Sequence, residues 1–343
     1  MRPIRKIFHR LNLAYQAFRY GEVRPESAEE LRTITEEEIS EIKEFFPMPK
    51  YFVFGHARSG TTLLARLLRV HPDVHCNWQT HFFTRRPFLE DLVSSPEIQR
   101  WMSQTSNRWI KGDDFSPLAL RVISDFMLER EARKEAKSVV GDKSPNTAVQ
   151  GKGVVRLHRL YPEGKLIFIV RDGRDAVLSH RFLNFIDFPD YLPEEDLVIR
   201  DAFAADPEPF FRGEKSLFSA GELQRAAEKW VTNVEETHCR GKEMFGSAYY
   251  SLRFEDLVAQ PDRVMTRLWE FLGVDVSSPT LSDRIRDQLS QNPDADWQRQ
   301  QAGDLVSNLQ KGKAGSWLDL FTQEDKDTFH AAAGDTLRAW GYK

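Results

Sequence analysis

The sequence predicts an α/β fold, with a central parallel sheet and helices packed on both of its faces. Short apolar runs recur along the chain: YFVF at 51–54, the pair Val139-Val140, KLIFIV at 165–170 and, less cleanly, AYYSLRF at 248–254. Stretches with apolar residues at helical spacing separate them. A run as continuous as KLIFIV suits a strand buried on both faces, which is the habit of parallel sheets flanked by helices. In such sheets ligands sit beyond the carboxyl ends of the strands. The residues that follow each run are therefore the ones that should carry chemistry.

The first run leads into Gly55-His56-Ala57-Arg58-Ser59-Gly60-Thr61-Thr62. Leu63, Leu64, Leu67 and Leu68 then repeat at helical spacing. Two glycines between a strand and a helix allow a tight turn whose N–H groups point into one concavity, where the helix N-terminus adds partial positive charge. The frame is that of a phosphate-binding loop, Gly-x4-Gly, but Thr61 stands where nucleotide triphosphatases carry lysine, and Arg58 supplies the cation three residues earlier. A three-layer, P-loop-like fold with an anion site not built around a γ-phosphate and Mg²⁺ is expected.

The second run, at Val139-Val140, ends in GDKSPN and places Lys143 at a strand terminus. After KLIFIV come Arg171, Asp172, Gly173, Arg174 and Asp175, then a helical pattern from about Asp175 that carries Ser179 one turn in. Arg171 and Ser179 make a second anion site, or the four charged residues pair among themselves. Lys311-Gly312-Lys313-Ala314-Gly315-Ser316-Trp317 forms a flexible basic loop near the end, suited to phosphate or simply solvated. Residues 85–136 read as helix-rich, and 35–45 (TEEEISEIKEF) as an acidic helix entering the first strand.

At 343 residues the chain can bury a large core, as one α/β domain or two. Charged residues are 29% and the net charge is −4, which argues against nucleic acid as a partner of the whole chain. Cys76 and Cys239 are its two cysteines, against a disulfide framework or a cysteine zinc site and in keeping with a reducing, cytoplasmic compartment. No apolar stretch approaches the roughly 20 residues that span a bilayer. The first ten residues are basic and amphipathic without the apolar run of a signal peptide. They fit either a terminal helix docked on its own domain or weak membrane-surface contact.

In order and spacing, these elements resemble the sulfotransferases that use 3′-phosphoadenosine 5′-phosphosulfate. RSGTTLL is similar to the family's 5′-phosphosulfate loop, VRDGRDAVLSH to its 3′-phosphate segment, LRFEDLVAQPDRVMTRLWEFLGV to the following strand-and-helix block, and KGKAGSW to the cytosolic enzymes' C-terminal loop. Phe254 replaces the tyrosine frequent in relatives, and Gln310 their preceding basic residue. The resemblance covers roughly 50–340 and implies a helical extension at 1–48 and a sulfotransferase domain at 49–343. It implies a nucleotide site of Arg58, Ser59, Gly60, Thr61, Thr62, Arg171, Ser179, Lys311 and Gly312, without metal. Arg58 and Lys143 take the catalytic cation roles.

The base departs from the family's patterns. The cytosolic enzymes' histidine falls on Pro145, and the tyrosylprotein enzymes' glutamate on Gln79. His81, titrating near neutrality, is the expected base, with Asp142 as rival. Residues 184–220, rich in aromatics such as Phe185, Phe188, Tyr191, Phe203, Phe210 and Phe211, read as a substrate-lid insertion facing 82–136. The acceptor hydroxyl or amine is expected on a carbohydrate, lipid or other small molecule. A nucleotide-dependent kinase and a catalytically inactive nucleotide-binding relative stand as alternatives.

Overall fold

A computed structural model describes residues 31–104, 113–290 and 314–343. Among the described residues, five strands form one sheet: β1 (Lys50–Gly55), β2 (Val74–Trp78), β3 (Val139–Lys143), β4 (Lys165–Val170) and β5 (Tyr249–Arg253). Every pairing is parallel and the order is β2-β3-β1-β4-β5, so β1 lies at the centre. The helices that frame it, numbered in chain order, are α1 (Glu36–Phe45), α2 (Thr61–Leu68), α3 (Ser116–Lys134), α4 (Gly151–Leu160), α5 (Gly173–Asp187), α6 (Glu222–Phe245), α7 (Pro261–Leu272) and α8 (Gln323–Ala339). The expected parallel sheet in three layers is what the chain forms.

The two-residue period of the strands explains the layers. Phe52, Phe54, Leu166, Phe168 and Val170 point to one face, where α3, α4, α5, α6 and α8 close a large core around Leu128, Leu157, Ala176, Trp230 and Phe329. Tyr51, Val53, Ile167 and Ile169 point to the other, against Leu64, Leu67 and Leu68 of α2 and Met265, Leu268 and Trp269 of α7. The β3 strand continues past Val139-Val140 to Lys143, and β2 extends past Cys76 to Trp78.

The aromatics of 184–220 divide between core and surface. Phe185, Phe203 and Phe210 are buried beside Phe182, whereas Phe188 and Tyr191 are exposed. Arg181 draws the segment inward: its buried guanidinium donates to Asp196 at 2.7 Å, to Glu222 at 2.9 Å and to the Leu217 carbonyl at 2.7 Å. The three buried rings are therefore closed to an acceptor. Of the expected N-terminal extension, residues 1–30 lie outside the described residues; α1, capped by a Thr35–Glu38 box, packs on α3 through Ile34, Ile39, Ile42 and Leu118.

Candidate active site

The loop between β1 and α2 is shaped by two left-handed residues, Arg58 at φ +69° and Gly60 at φ +88°. A side chain at Gly60 is refused twice. The backbone favours glycine there, and a Cβ at Gly60 would lie 2.2 Å from Cδ2 of Phe254. As N-cap of α2, Gly60 supplies no side-chain hydrogen bond, so the helix's first N–H groups and its positive end face the loop's concavity. Ser59 is fully buried, and its hydroxyl has no hydrogen-bond partner among the described residues. Such an orphaned donor in a cradle of N–H groups fits an anionic oxygen.

The loop is braced from outside. Ala57 N donates to Thr147 Oγ1 at 2.7 Å, and Asn146 N to the Gly55 carbonyl at 3.1 Å. His56 Nδ1 lies 2.9 Å from the Ala57 carbonyl. Burial above all, with His180 and Lys229 nearby, pushes the His56 imidazole down to about 4. It is thus a neutral brace at physiological pH and not a cation.

Arg58 Nε donates to Ser179 Oγ at 3.0 Å, and Arg171 Nη1 donates to the Arg58 carbonyl at 3.2 Å. The Arg171 guanidinium lies 4.9 Å from the centroid of the Phe254 ring, the same ring that fills the space beside Gly60. Phe254 therefore spaces the loop from the arginine. Ser179 differs from expectation in two ways. The helix begins at Gly173, which puts Ser179 nearly two turns in, and the guanidinium that reaches it is Arg58's.

Lys143, buried at the end of β3, has its Nζ 3.3 Å from Thr62 Oγ1 and 5.1 Å from the centroid of the Trp78 indole. Trp78 pairs in register with Lys143 and is 45% exposed. Beyond β2 the chain turns sharply, with Gln79 at φ +52° and His81 at φ +55°. Together with Arg58 these are three of the five non-glycine residues with positive φ among the described residues. Such strain, of order 1–3 kcal/mol per residue, persists where the surroundings over-determine it.

Asp142 supplies that determination. Its Oδ1 accepts from Thr80 N at 3.1 Å and its Oδ2 from the Ser144 hydroxyl at 2.6 Å, while Ser144 Oγ accepts from His81 N at 3.0 Å. Burial raises the Asp142 carboxyl above its ordinary value against the pull of those donors. With both oxygens committed, Asp142 is a brace for the 79–84 turn. His81 is half-buried, its Nδ1 2.8 Å from the Thr84 hydroxyl; burial first, then Arg85 and Lys143, lowers its pKa.

After β4 the charged residues separate. Arg174 grips Asp172 with Nε at 2.9 Å and Nη2 at 2.7 Å, and lies 3.7 Å from the Trp317 ring centroid. Asp175 accepts from Gly315 N at 2.6 Å and Trp317 N at 3.2 Å, and sits 3.9 Å from Arg171 Nη2. The pairing reading thus holds for Arg174 with Asp172, while Arg171 also reaches the loop. Lys311 and Gly312 lie outside the described residues, but the far end of their loop is fastened to the start of α5 through Asp175.

Arg58, Ser59, Gly60, Thr61, Thr62, Lys143, Arg171 and Ser179 are thus gathered at the ends of three adjacent strands, with His81 on the turn beside them. Trp78, Thr84 and Thr147 join them without having been foreseen. Trp78 becomes conspicuous only once β2 is known to pair with β3; Thr84 and Thr147 carry no local signal.

Residues 49–195 match the sulfotransferase family. The matched segment holds both the loop and the Arg171–Ser179 stretch. Phe254 and the 314–317 turn reach the site from beyond it. A protein-tyrosine sulfotransferase of Drosophila melanogaster is 27% identical over 233 residues, 66% of this chain and 38% of the relative. Protein-tyrosine sulfotransferase 2 of Gallus gallus is 26% identical over 235 residues, 68% of this chain and 53% of the relative. The chain thus spans about two fifths to one half the length of these two curated relatives. A crystal structure of a mouse sulfotransferase complexed with PAP aligns with a TM-score of 0.45 at 16% identity, covering 89% of this chain and 90% of that one.

Proposed function

We propose that the protein is an enzyme that transfers a sulfuryl group from 3′-phosphoadenosine 5′-phosphosulfate to an acceptor hydroxyl. The observation that carries this is the convergence of Arg58, Lys143 and Arg171 with the uncapped start of α2 and the buried, unpartnered Ser59 hydroxyl. When bound, the cosubstrate supplies the sulfuryl group and the bridging oxygen on which charge collects as that group leaves. Ser59, Thr61, Thr62 and the first N–H groups of α2 hold the 5′-phosphate, and Arg171 with Ser179 takes the 3′-phosphate. Arg58 and Lys143 present positive charge to the developing oxyanion, where a preorganised cation has most effect. His81 accepts the acceptor's proton: in the tautomer whose Nδ1–H is donated to Thr84, Nε2 keeps its lone pair for the hydroxyl.

For the acceptor, the relatives named for protein tyrosine support a tyrosyl hydroxyl over a carbohydrate or lipid. The exposed Trp78 indole beside Lys143 offers a flat face to such a phenol. The test is transfer of ³⁵S from labelled cosubstrate to tyrosine peptides, simple phenols, sugars and sterols, by wild type, Arg58→Ala and Lys143→Ala. Transfer that both variants lose supports the proposal. Tight binding of adenosine 3′,5′-bisphosphate with no transfer to any acceptor would make the chain an inactive nucleotide binder, a reading favoured by Gln79 standing where a carboxylate base is found. Preference for ATP with Mg²⁺ would return it to the kinases.

A further inference from the structure

Helix α3 turns an apolar stripe outward, while its inward side mixes apolar residues with the buried charges Arg121, Asp125 and Glu129. Leu120, Leu128 and Ala132 face the core, while Val122, Ile123, Phe126 and Met127 form an outward stripe, with Phe126 57% exposed. Phe115, just before the first turn, begins the stripe, and only from Arg130 onward does the outer face turn charged. A contiguous exposed apolar stripe of this kind marks an interaction surface. We propose that the stripe is the docking site for this chain's own N-terminal segment, residues 4–18.

Three features point to that occupant. Its apolar residues, Ile4, Ile7, Phe8, Leu11, Tyr15 and Phe18, recur at the spacing of one helical face. Its charge complements the border of the stripe: residues 1–20 carry Arg2, Arg5, Lys6, Arg10 and Arg19 and no acid. Asp113 and Asp114 immediately precede the stripe, and α1, which packs on the start of α3, exposes Glu36, Glu37, Glu41 and Glu44. The attachment point also fits. Arg32 Nη2 donates to the Asp114 carbonyl at 2.5 Å, and Ile34 packs with Leu118, so the chain arrives at the stripe's first turn. The twelve residues between 18 and 31 reach about 40 Å when extended, whereas the stripe is only about 18 Å long. Docking is therefore possible in either direction.

Hydrogen exchange of the full chain tests this, comparing wild type with Ile123→Glu/Phe126→Glu. Amides of residues 5–18 should exchange at least about tenfold more slowly in wild type than in the variant, with melting temperature and bisphosphate binding unchanged. Should the α3 variant fold poorly, Arg5→Glu/Lys6→Glu/Arg10→Glu leaves the packed domain intact and should remove the same protection. Equal exchange in wild type and variant overturns the assignment. So does a dimer by light scattering that the variant dissociates, which would give the stripe to a second copy. Co-sedimentation with phosphatidylserine vesicles lost in the variant would give it to a membrane and equally overturn it.

Discussion

Placing a methyl group at residue 60 probes the contact that spaces the phosphate loop from Arg171. Gly60→Ala meets two separate obstacles. Its φ of +88° costs an L-residue about 1–2 kcal/mol. The new Cβ, 2.2 Å from Phe254 Cδ2, adds an overpacking term of about 1–3 kcal/mol. Together they should remove about 2–5 kcal/mol of stability. Phe254→Ala alone, emptying a buried ring site, should cost about 3–5 kcal/mol. In the double variant the clash vanishes and the backbone term remains. The combined loss should then fall short of the sum by about 1–3 kcal/mol. Urea unfolding of the four proteins, followed by tryptophan fluorescence, closes the cycle. Additivity within about 0.5 kcal/mol would show that the ring does not limit residue 60, and the account of Phe254 as a spacer would fail.

Arg58→Ala should lower kcat about 10²–10³-fold, and Arg58→Lys should recover only part of it, because lysine has no Nε for Ser179; steady-state transfer kinetics decide, and full recovery would reject that geometry. With neutral His81 as the proposed base, kcat/KM should fall as pH drops through its lowered pKa, below the ordinary histidine value of about 6.5. Arg85→Ala removes a cation that keeps the proton off, so the acid limb of the pH profile should move to higher pH; an unmoved limb would exclude His81. Asp142→Asn should lower stability by about 1–3 kcal/mol yet keep kcat within about tenfold, whereas a loss beyond about 10³-fold would make Asp142 the base.

Much of this architecture was legible because buried parallel strands leave a plain trace. KLIFIV and YFVF are apolar on both faces, and the glycine turn after YFVF marks where α2 starts, whereas α5 starts at Gly173, capped by Asp172, two residues before the expected Asp175. The loop residues were legible for the same reason, since glycine spacing and a cation at Arg58 are local properties. What escaped depends on the approach of distant segments. Nothing near Phe254 announces that its ring lies against Gly60, 194 positions earlier. The aromatics of 184–220 look alike in sequence, and only the buried pairing of Arg181 with Asp196 and Glu222 decides which turn inward. The left-handed backbone at Gln79 and His81 was hidden too, because it is imposed by Asp142 and Ser144 from another strand.

The position of β1 at the centre of the sheet bears on how the molecule comes into being. Its neighbours are β3 and β4; Lys50 pairs with Val140, and Tyr51 with Lys165. The next strand in the chain, β2, pairs with β3 and not with β1. During synthesis the central strand therefore emerges long before anything exists for it to bond to, and no hairpin can shelter it. One edge of YFVF stays open until β3 is made, about 88 residues later, and the other until β4 is complete, about 115 residues later, roughly 6–23 s of translation for the second. Non-local pairing of this kind slows folding and leaves the nascent chain exposed to wrong partners. The first strand laid down is thus the one a chaperone would most need to cover.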